Sequence, residues 1–370
     1  MSKIYRVGVI GDTGRGNYGH GVDTAIASMP QTNVVAVADP HDQGRDEAQK
    51  RTGAAQAYAN YRDMLQKEQL DIVAICPRWI DQHHDMILAC AHAGCHIYME
   101  KPFCRNLVES DEAIRELEMR HLKLGIAHIS QYSPVLATML KLIENDEIGE
   151  VLEVRGRGKE DRRGGGEDLW VLGSHVFGLM RSFAGGNAVS CTATAKQEGH
   201  LVTKADVKEG AEGIGPLAAD HVEARYEFDS GVTGHFASRK DMGGNPSRFA
   251  VQVFGSKGVM ELASGYMVPG HILKDSSWSP GRTGKQWQPV TSAGIDQPEP
   301  ITKRSYHDGH VAAIEDLIAC IENDDRQPKC SQYDALAITE MIAAVFESHR
   351  QGGPVGLPLD LRENPLTKLS

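Results

Sequence analysis

The sequence predicts a two-domain α/β chain: a parallel, doubly wound sheet over residues 1–128, then an α+β domain over residues 129–370 with a large, open, mainly antiparallel sheet. Three observations predict it. Strand-like and helix-like segments alternate through the first third, which requires right-handed βαβ units and a parallel sheet. A glycine-rich turn joins the first strand to the first helix. From Val151 onward, strands follow one another across hairpin-type turns, the texture of an antiparallel sheet with one open face. The 370 residues suit two domains of about 100–200 residues each.

In order, Tyr5–Ile10 reads as a strand and His20–Met29 as a helix. Asn33–Ala38 is a Val-rich strand, Gly44–Thr52 a helix, Ala57–Ala59 a short strand and Tyr61–Glu68 a short helix. Asp71–Cys76 reads as a buried strand, His83–Ala93 as a helix, His96–Met99 as a strand, Leu107–Leu122 as a long helix and Leu124–His128 as the last strand. Val135–Asn145 carries Leu136, Met139, Leu140 and Ile143 on one helical stripe. Strands are then expected at Val151–Arg157, Val189–Thr194, His221–Glu227, Val232–Ser238, Arg248–Gly255 and Gly258–Leu262. The polar, Pro- and Gly-rich stretch Gly265–Lys303 reads as long loops. The helices His310–Ile321 and Asp334–His349 follow, then an irregular tail.

Composition bounds the partners. With 39 basic and 50 acidic residues the net charge is -11, and no basic run is present. Such a chain repels nucleic acid and anionic lipid, although a small basic pocket for an anionic cofactor is compatible with it. The 7 Cys are scattered with no CxxC pair, so neither a structural zinc nor a redox pair is expected. His307, Asp308 and His310 cluster but lack a further ligand at defined spacing, so no metal is expected. The N-terminus runs straight into a strand, and no apolar stretch is long enough to span a bilayer. The expectation is a cytoplasmic protein.

The turn Gly11-Asp12-Thr13-Gly14-Arg15-Gly16 leaves a strand and enters a helix. Glycine there allows a tight turn and lets backbone amides reach a pyrophosphate. Counted from Gly11, a strict G-x-G-x-x-G needs glycine at 11, 13 and 16, and position 13 is Thr. Gly11, Thr13, Gly14, Arg15 and Gly16 are the candidate cofactor-binding residues of this turn. Asp39 ends the second strand. A carboxylate there can accept from an adenosine ribose and repel a ribose phosphate, which favours NAD over NADP. Asp39 can equally cap the next helix, and His41 and Arg45 leave room for NADP.

The strand His96–Met99 runs into Glu100-Lys101-Pro102, an acid and a base at the carboxyl end of a parallel strand, where ligands bind. Lys101 can donate to a substrate hydroxyl or carbonyl and, if desolvated, shuttle a proton. An ordinary surface ion pair is the alternative.

Together with Ala38-Asp39-Pro40, Tyr61-Arg62-Asp63-Met64-Leu65, Tyr132-Ser133-Pro134 and the stretch Gly164 to His175, these motifs resemble, in order and spacing, the glucose-fructose oxidoreductase/inositol dehydrogenase (Gfo/Idh/MocA) family. The resemblance implies a Rossmann domain, a C-terminal domain with an open sheet, bound NAD(P), and hydride transfer with sugars, polyols or related molecules. It also implies a homodimer or homotetramer joined through the open sheet. In this family the loop Cys76-Pro77-Arg78-Trp79 touches the nicotinamide end, which makes Cys76, Pro77 and Trp79 candidate contacts beside Glu100 and Lys101. The family's second motif is a helix with an Asp and, four residues on, a His. His175 matches the His and could take the hydroxyl proton.

The Asp position is Val171. Asp168, seven residues before His175, could supply the carboxylate from the same helical face; Glu167 is the other choice, and a helix cap is an equal reading of Asp168. Lys159 and Arg163, with Arg157 and Arg162, could hold a substrate anion or form a solvated loop. His128 could line the pocket or be a satisfied core histidine.

The expected function is an NAD-dependent dehydrogenase acting on a sugar, polyol or glycoside hydroxyl, with Lys101, His175 and Asp168 as catalytic residues. Lys101, His128, Lys159, Arg163, Asp168 and His175 are the candidate substrate-binding residues. The lost Asp at position 171 keeps open a glycoside-cleaving enzyme that oxidises transiently with no net redox. A non-catalytic NAD-binding regulator is the third reading.

Overall fold

The computed structural model describes residues 3–370. The chain divides into two compact units. One comprises the residues up to Ile129 with Ala211–Gly215 and Ser305–Leu336; the other comprises Ser130–Gly210, Pro216–Arg304 and Ala337–Ser370. The stretch Ser305–Leu336, assigned from sequence to the second domain, thus belongs to the first unit. Its helix Tyr306–Ile321 packs on the first helix and last strand of that unit.

The first unit is a six-stranded parallel sheet with helices between its strands. The strands are β1 (Tyr5–Ile10), β2 (Thr32–Ala38), β3 (Gln56–Tyr58), β4 (Ile72–Ile75), β5 (His96–Met99) and β6 (Leu124–Ile126), in the order β3-β2-β1-β4-β5-β6. This is a Rossmann order, with its switch point between β1 and β4. Central strands covered on both faces need continuous apolar runs, and all four residues of Ile72–Ile75 are buried. The helices are α1 (Val22–Ala27), α2 (Asp42–Thr52), α3 (Tyr61–Lys67), α4 (His83–His92) and α5 (Leu107–Glu118). Side chains of Asn60 and Asn106 cap α3 and α5 at their N-termini. Helix α1 starts two residues later than expected, because Gly19 and Gly21 both take positive φ ahead of it.

The second unit is built on an eleven-stranded sheet. Its neighbours run Gly294–Ile295, Gln288–Thr291, Gly270–Leu273, Val259–Ala263, Ala250–Gly255, Val151–Arg157, Thr233–Arg239, His221–Phe228, Ala188–Gln197 and Val355–Gly356, with His200–Leu201 paired onto Ala188–Gln197. Only Val151–Arg157 and Thr233–Arg239 pair in parallel. Strand His221–Phe228 shows the one-sided burial of such a sheet: Val222, Ala224, Tyr226 and Phe228 are buried, whereas Glu223 and Arg225 are exposed. Helix Gly173–Ala184 covers the inner face. Its Phe177 ring lies 4.7 Å from that of Phe236 and 5.6 Å from that of Tyr226.

The long loops expected at 265–303 are a correction. Three short strands and a turn of helix, Pro280–Thr283, occupy that stretch and extend the sheet. Strands of two to four residues leave no period-2 pattern to read; their form comes from the ladder offered by Val259–Ala263. Among the described residues, no helix is long and apolar enough to cross a membrane.

Candidate active site

In the first unit the glycine-rich loop is long, as the added Asn17-Tyr18-Gly19-His20-Gly21 suggests. It runs from Gly11 to Gly21, and Asp12 and Asn17 pair across it as an antiparallel bridge. The tight turn after β1 is not built for a phosphate at Gly11: a Cβ there would lie 2.2 Å from the Tyr18 ring, which packs flat against it. The strict G-x-G-x-x-G spacing instead falls at Gly14, Gly16 and Gly19, three residues downstream of the register expected, and ends just before α1. All three have positive φ. A Cβ on Gly14 would meet nothing within 4 Å, so its backbone is open to an incoming ligand. A Cβ on Gly16 would lie 2.3 Å from the Arg78 amide nitrogen, and one on Gly19 would lie 2.5 Å from Glu100 Cγ and 2.7 Å from the Cys76 carbonyl. Gly16 and Gly19 need glycine for close approach, and all three for their positive φ. That spacing is legible in the sequence when the motif is counted from Gly14 rather than from Gly11.

Asp39 sits at the end of β2 and is fully buried. Its Oδ2 accepts from the Thr13 hydroxyl at 2.7 Å and its Oδ1 from the His41 amide at 2.8 Å, while the Thr13 amide donates at 3.2 and 3.3 Å. Arg15 bonds Asp81 and stacks over Trp79, its guanidinium carbon 4.5 Å from the ring centroid. Trp79 therefore presents its face to an arginine of its own chain.

The Glu100-Lys101-Pro102 turn leaves β5 at the carboxyl end of the sheet. The Lys101–Pro102 peptide is cis, and Lys101 is 4% exposed. Glu100 is buried, and its Oε1 accepts from the amide of His20 at 2.9 Å and lies 2.8 Å from His20 Nδ1. Burial alone would push this carboxyl up. The His20 hydrogen bond and the charges of His20, His310 and Lys101 outweigh it and hold the acid well below its usual range. His83, fully buried, places Nδ1 2.7 Å from the Pro102 carbonyl and Nε2 2.8 Å from the Pro77 carbonyl. It thereby ties the Cys76–Trp79 loop to the Lys101 turn. Cys76 is buried, and burial raises its thiol pKa far above the ordinary value, so it is no nucleophile. His128 is 2% exposed at the end of β6. His20 and His83 were not singled out as site residues, since neither lies in a motif.

In the second unit the segment from Gly164 to His175 is two helices, Gly166–Val171 and Gly173–Ala184. The break comes at Leu172, and a Cβ on Gly173 would press on the Phe236 ring at 3.2 Å. Asp168 and His175 therefore lie on different helices, and their seven-residue spacing does not measure two turns of one face. Asp168 is fully buried. Its Oδ2 accepts from Ser238 Oγ at 2.5 Å and from the Glu160 amide at 3.0 Å, and burial, against those bonds, raises its pKa. Through that oxygen it braces the turn at 158–168. His175 is half-buried in the first turn of its helix. Arg163 holds Asp161 through two nitrogens, at 2.7 and 3.1 Å, and that contact, with Lys159 at 3.8 Å, keeps Asp161 at about 2. The Asp161 carboxylate thus already engages both cations proposed for a substrate anion; Lys159 is otherwise exposed.

Residues 5–128 match the Gfo/Idh/MocA oxidoreductase family's NAD-binding Rossmann fold, and residues 140–357 match its C-terminal alpha/beta domain. The chain belongs to the Gfo/Idh/MocA family. It is an oxidoreductase with an NAD-binding Rossmann domain. Among curated relatives, the scyllo-inositol 2-dehydrogenase (NAD(+)) of Bacillus subtilis is 22% identical over 365 residues, 96% of this chain and 97% of that protein. A glycosyl hydrolase family 109 protein of Phocaeicola vulgatus is 26% identical over 164 residues, 42% of this chain and 31% of that protein. Among solved structures, a levoglucosan dehydrogenase in complex with NADH and levoglucosan shares the fold with a TM-score of 0.76 at 19% identity, over 96% of this chain and 100% of that one.

Proposed function

We propose that this Gfo/Idh/MocA protein is an NAD-dependent dehydrogenase acting on a hydroxyl-bearing carbon of a sugar, polyol or glycoside, with Lys101 and His175 as its proton-handling groups. One observation carries the reading: Lys101, an ammonium side chain 4% exposed, stands at the carboxyl end of β5 next to an anionic Glu100. Ligands of open α/β sheets bind at that edge, so the burial places the ammonium at the ligand side of the sheet. The activities of the relatives, inositol and levoglucosan dehydrogenases, support the substrate class.

The residues fit a dinucleotide at the pyrophosphate, where Gly14 leaves the backbone bare. Bound NAD supplies the hydride acceptor. The Lys101 ammonium donates to the substrate oxygen and orients the carbon that bears it. The His175 imidazole takes the hydroxyl proton and releases it to water. Glu100, held by His20, keeps a fixed negative charge beside Lys101. Asp168 acts as a positioning residue for the turn before His175.

Incubated with NAD and a panel of inositols, anhydrosugars and glycosides, the chain is expected to form NADH. Lys101→Ala and His175→Ala should each lower kcat by about 10²–10⁴-fold, while calorimetry shows NAD still bound. NAD binding without turnover anywhere on the panel would overturn the reading. A second reading rests on Val171 at the family's Asp position and on the likeness to the family 109 protein: transient oxidation during glycoside cleavage. Aglycone release at constant NADH would select it.

The open face of the second unit's sheet is proposed to meet a second copy of the chain. It carries Arg155, Arg225 and His235 beside Glu223 and Glu261 around a concavity of about 840 Å³. Rows of both signs let a two-fold-related copy pair with itself. The seven free, buried cysteines support a reducing, cytoplasmic setting.

A further inference from the structure

Asp39 is the residue that a Rossmann sheet would offer to the adenosine ribose, and here every approach to it is closed by the chain itself. A carboxylate has about four lone-pair sites. In Asp39 they face the Thr13 hydroxyl, the Thr13 amide and the His41 amide, and none of the residue is solvent-accessible. Thr13 reaches that position only because residue 44 has no side chain: a Cβ on Gly44 would lie 1.9 Å from Thr13 Oγ1. Glycine in the first turns of a helix is otherwise a loss of about 1 kcal/mol against alanine, so its presence at this contact marks a built fit.

The remainder of the loop is fastened on both sides. Tyr18 lies flat on Gly11, with the Arg51 guanidinium 4.3 Å from its ring centroid. Beyond it, Arg15 bonds Asp81, Gln82 Nε2 donates to Asp12 Oδ2 at 3.1 Å, and Gly16 rests on the Arg78 and Trp79 amides. Residues 12–18 thus run as a strap from the end of β2 to the turn after β4, across the switch point of the sheet.

We propose that Asp39 anchors this strap through Thr13 instead of accepting the ribose, so that dinucleotide affinity depends on the Thr13–Asp39–Gly44 clasp and the choice between NAD and NADP is not made by the Asp39 carboxylate. The proposal rests on the NAD-dependent reading above and concerns how this chain's own loop is held for that cofactor. Asp39 and Thr13 are positioning residues: they set where the Gly14–Gly16 backbone lies.

Calorimetric titration of the full chain with NAD and with NADP tests it, using Thr13→Val, Asp39→Asn, the double variant and Thr13→Ser. Thr13→Val removes a hydrogen bond to a buried charge at constant volume, so it is expected to weaken both dinucleotides by about tenfold. Asp39→Asn should do the same and leave the NADP-to-NAD ratio within about threefold of the parent; the double variant should be no worse than the stronger single one, as expected of two residues acting as one unit. Thr13→Ser keeps the hydroxyl and should bind like the parent. An Asp39→Asn protein whose ratio moves by about tenfold or more toward NADP, with Thr13→Val binding like the parent, makes Asp39 the ribose acceptor and overturns the proposal. So does parental affinity in both single variants, which would leave the clasp merely structural. Should Asp39→Asn fail to fold, the contrast between Thr13→Val and Thr13→Ser decides alone. A parent chain that binds neither dinucleotide overturns the functional reading, and this one with it.

Discussion

At the scale of single residues, the sign of a substitution depends on what its atoms would meet. Gly44→Ala should gain about 1 kcal/mol from helix propensity alone. The clash with Thr13 Oγ1 reverses this, and the variant is expected to lose about 1–3 kcal/mol in urea unfolding. Adding Thr13→Ala removes the colliding hydroxyl and should recover part of the loss; strictly additive effects would show that the two residues do not touch. His83 offers a second case. With a ring nitrogen against each of two buried carbonyls, His83→Ala opens a cavity and strands the carbonyl that its N–H serves, an expected loss of about 2–4 kcal/mol. An unchanged unfolding midpoint would mean that the two loops do not depend on that bridge.

Elements were legible where their periodicity is long. The strands and helices up to Ile126 emerge within a few residues of their expected bounds, because buried parallel strands are runs of Val, Ile and Ala that neighbours do not need to explain. The family motif implies a helix around 171–175 but neither its extension to Ala184 nor its division in two, since the break at Leu172 answers to Gly173 lying against Phe236, far away in sequence. The same packing turned Asp168 from a candidate catalytic carboxylate into a buried brace on Ser238. Ser238→Ala should therefore destabilise the second unit by about 1–3 kcal/mol at neutral pH. Its hydroxyl is among the bonds that oppose the raised pKa of Asp168, so its loss raises that pKa further. A group with a raised folded pKa is relieved as pH falls through that pKa. The penalty of Ser238→Ala should accordingly shrink in acid, and unfolding at two pH values checks it.

Across the whole molecule, acid stability should be governed in part by buried histidines. Burial lowers His310 to about 4 from 6.5, with the charges of His20 and His307 adding to it and Glu100 opposing; its Nδ1 lies 2.8 Å from the Tyr98 hydroxyl. Burial likewise lowers His96 to about 4. A histidine with a depressed folded pKa takes its proton first in the unfolded chain. Its stabilisation is complete above about 6.5, the unfolded value, and is lost as pH falls from there to about 4. For His310 the loss is on the order of 3 kcal/mol. The unfolding midpoint should fall across that window, and His310→Gln should flatten the fall even where it lowers the plateau. At the same scale, light scattering is expected to report a dimer or larger assembly, and Arg225→Glu on the open sheet face to weaken it; a monomeric parent would remove the proposed self-association.

The amino-acid sequence by itself determined the Rossmann alternation, the glycine-rich entry to the first helix, the Glu100-Lys101-Pro102 turn and the family, because each is written in adjacent residues through a local period or a local turn. The tertiary structure alone decided that Asp39 is closed off by Thr13, that Asp168 is held by Ser238, and that 270–295 adds strands to the sheet. Each of these depends on which atoms fill the space around a group, and side chains distant in the chain supply those atoms only once it has folded.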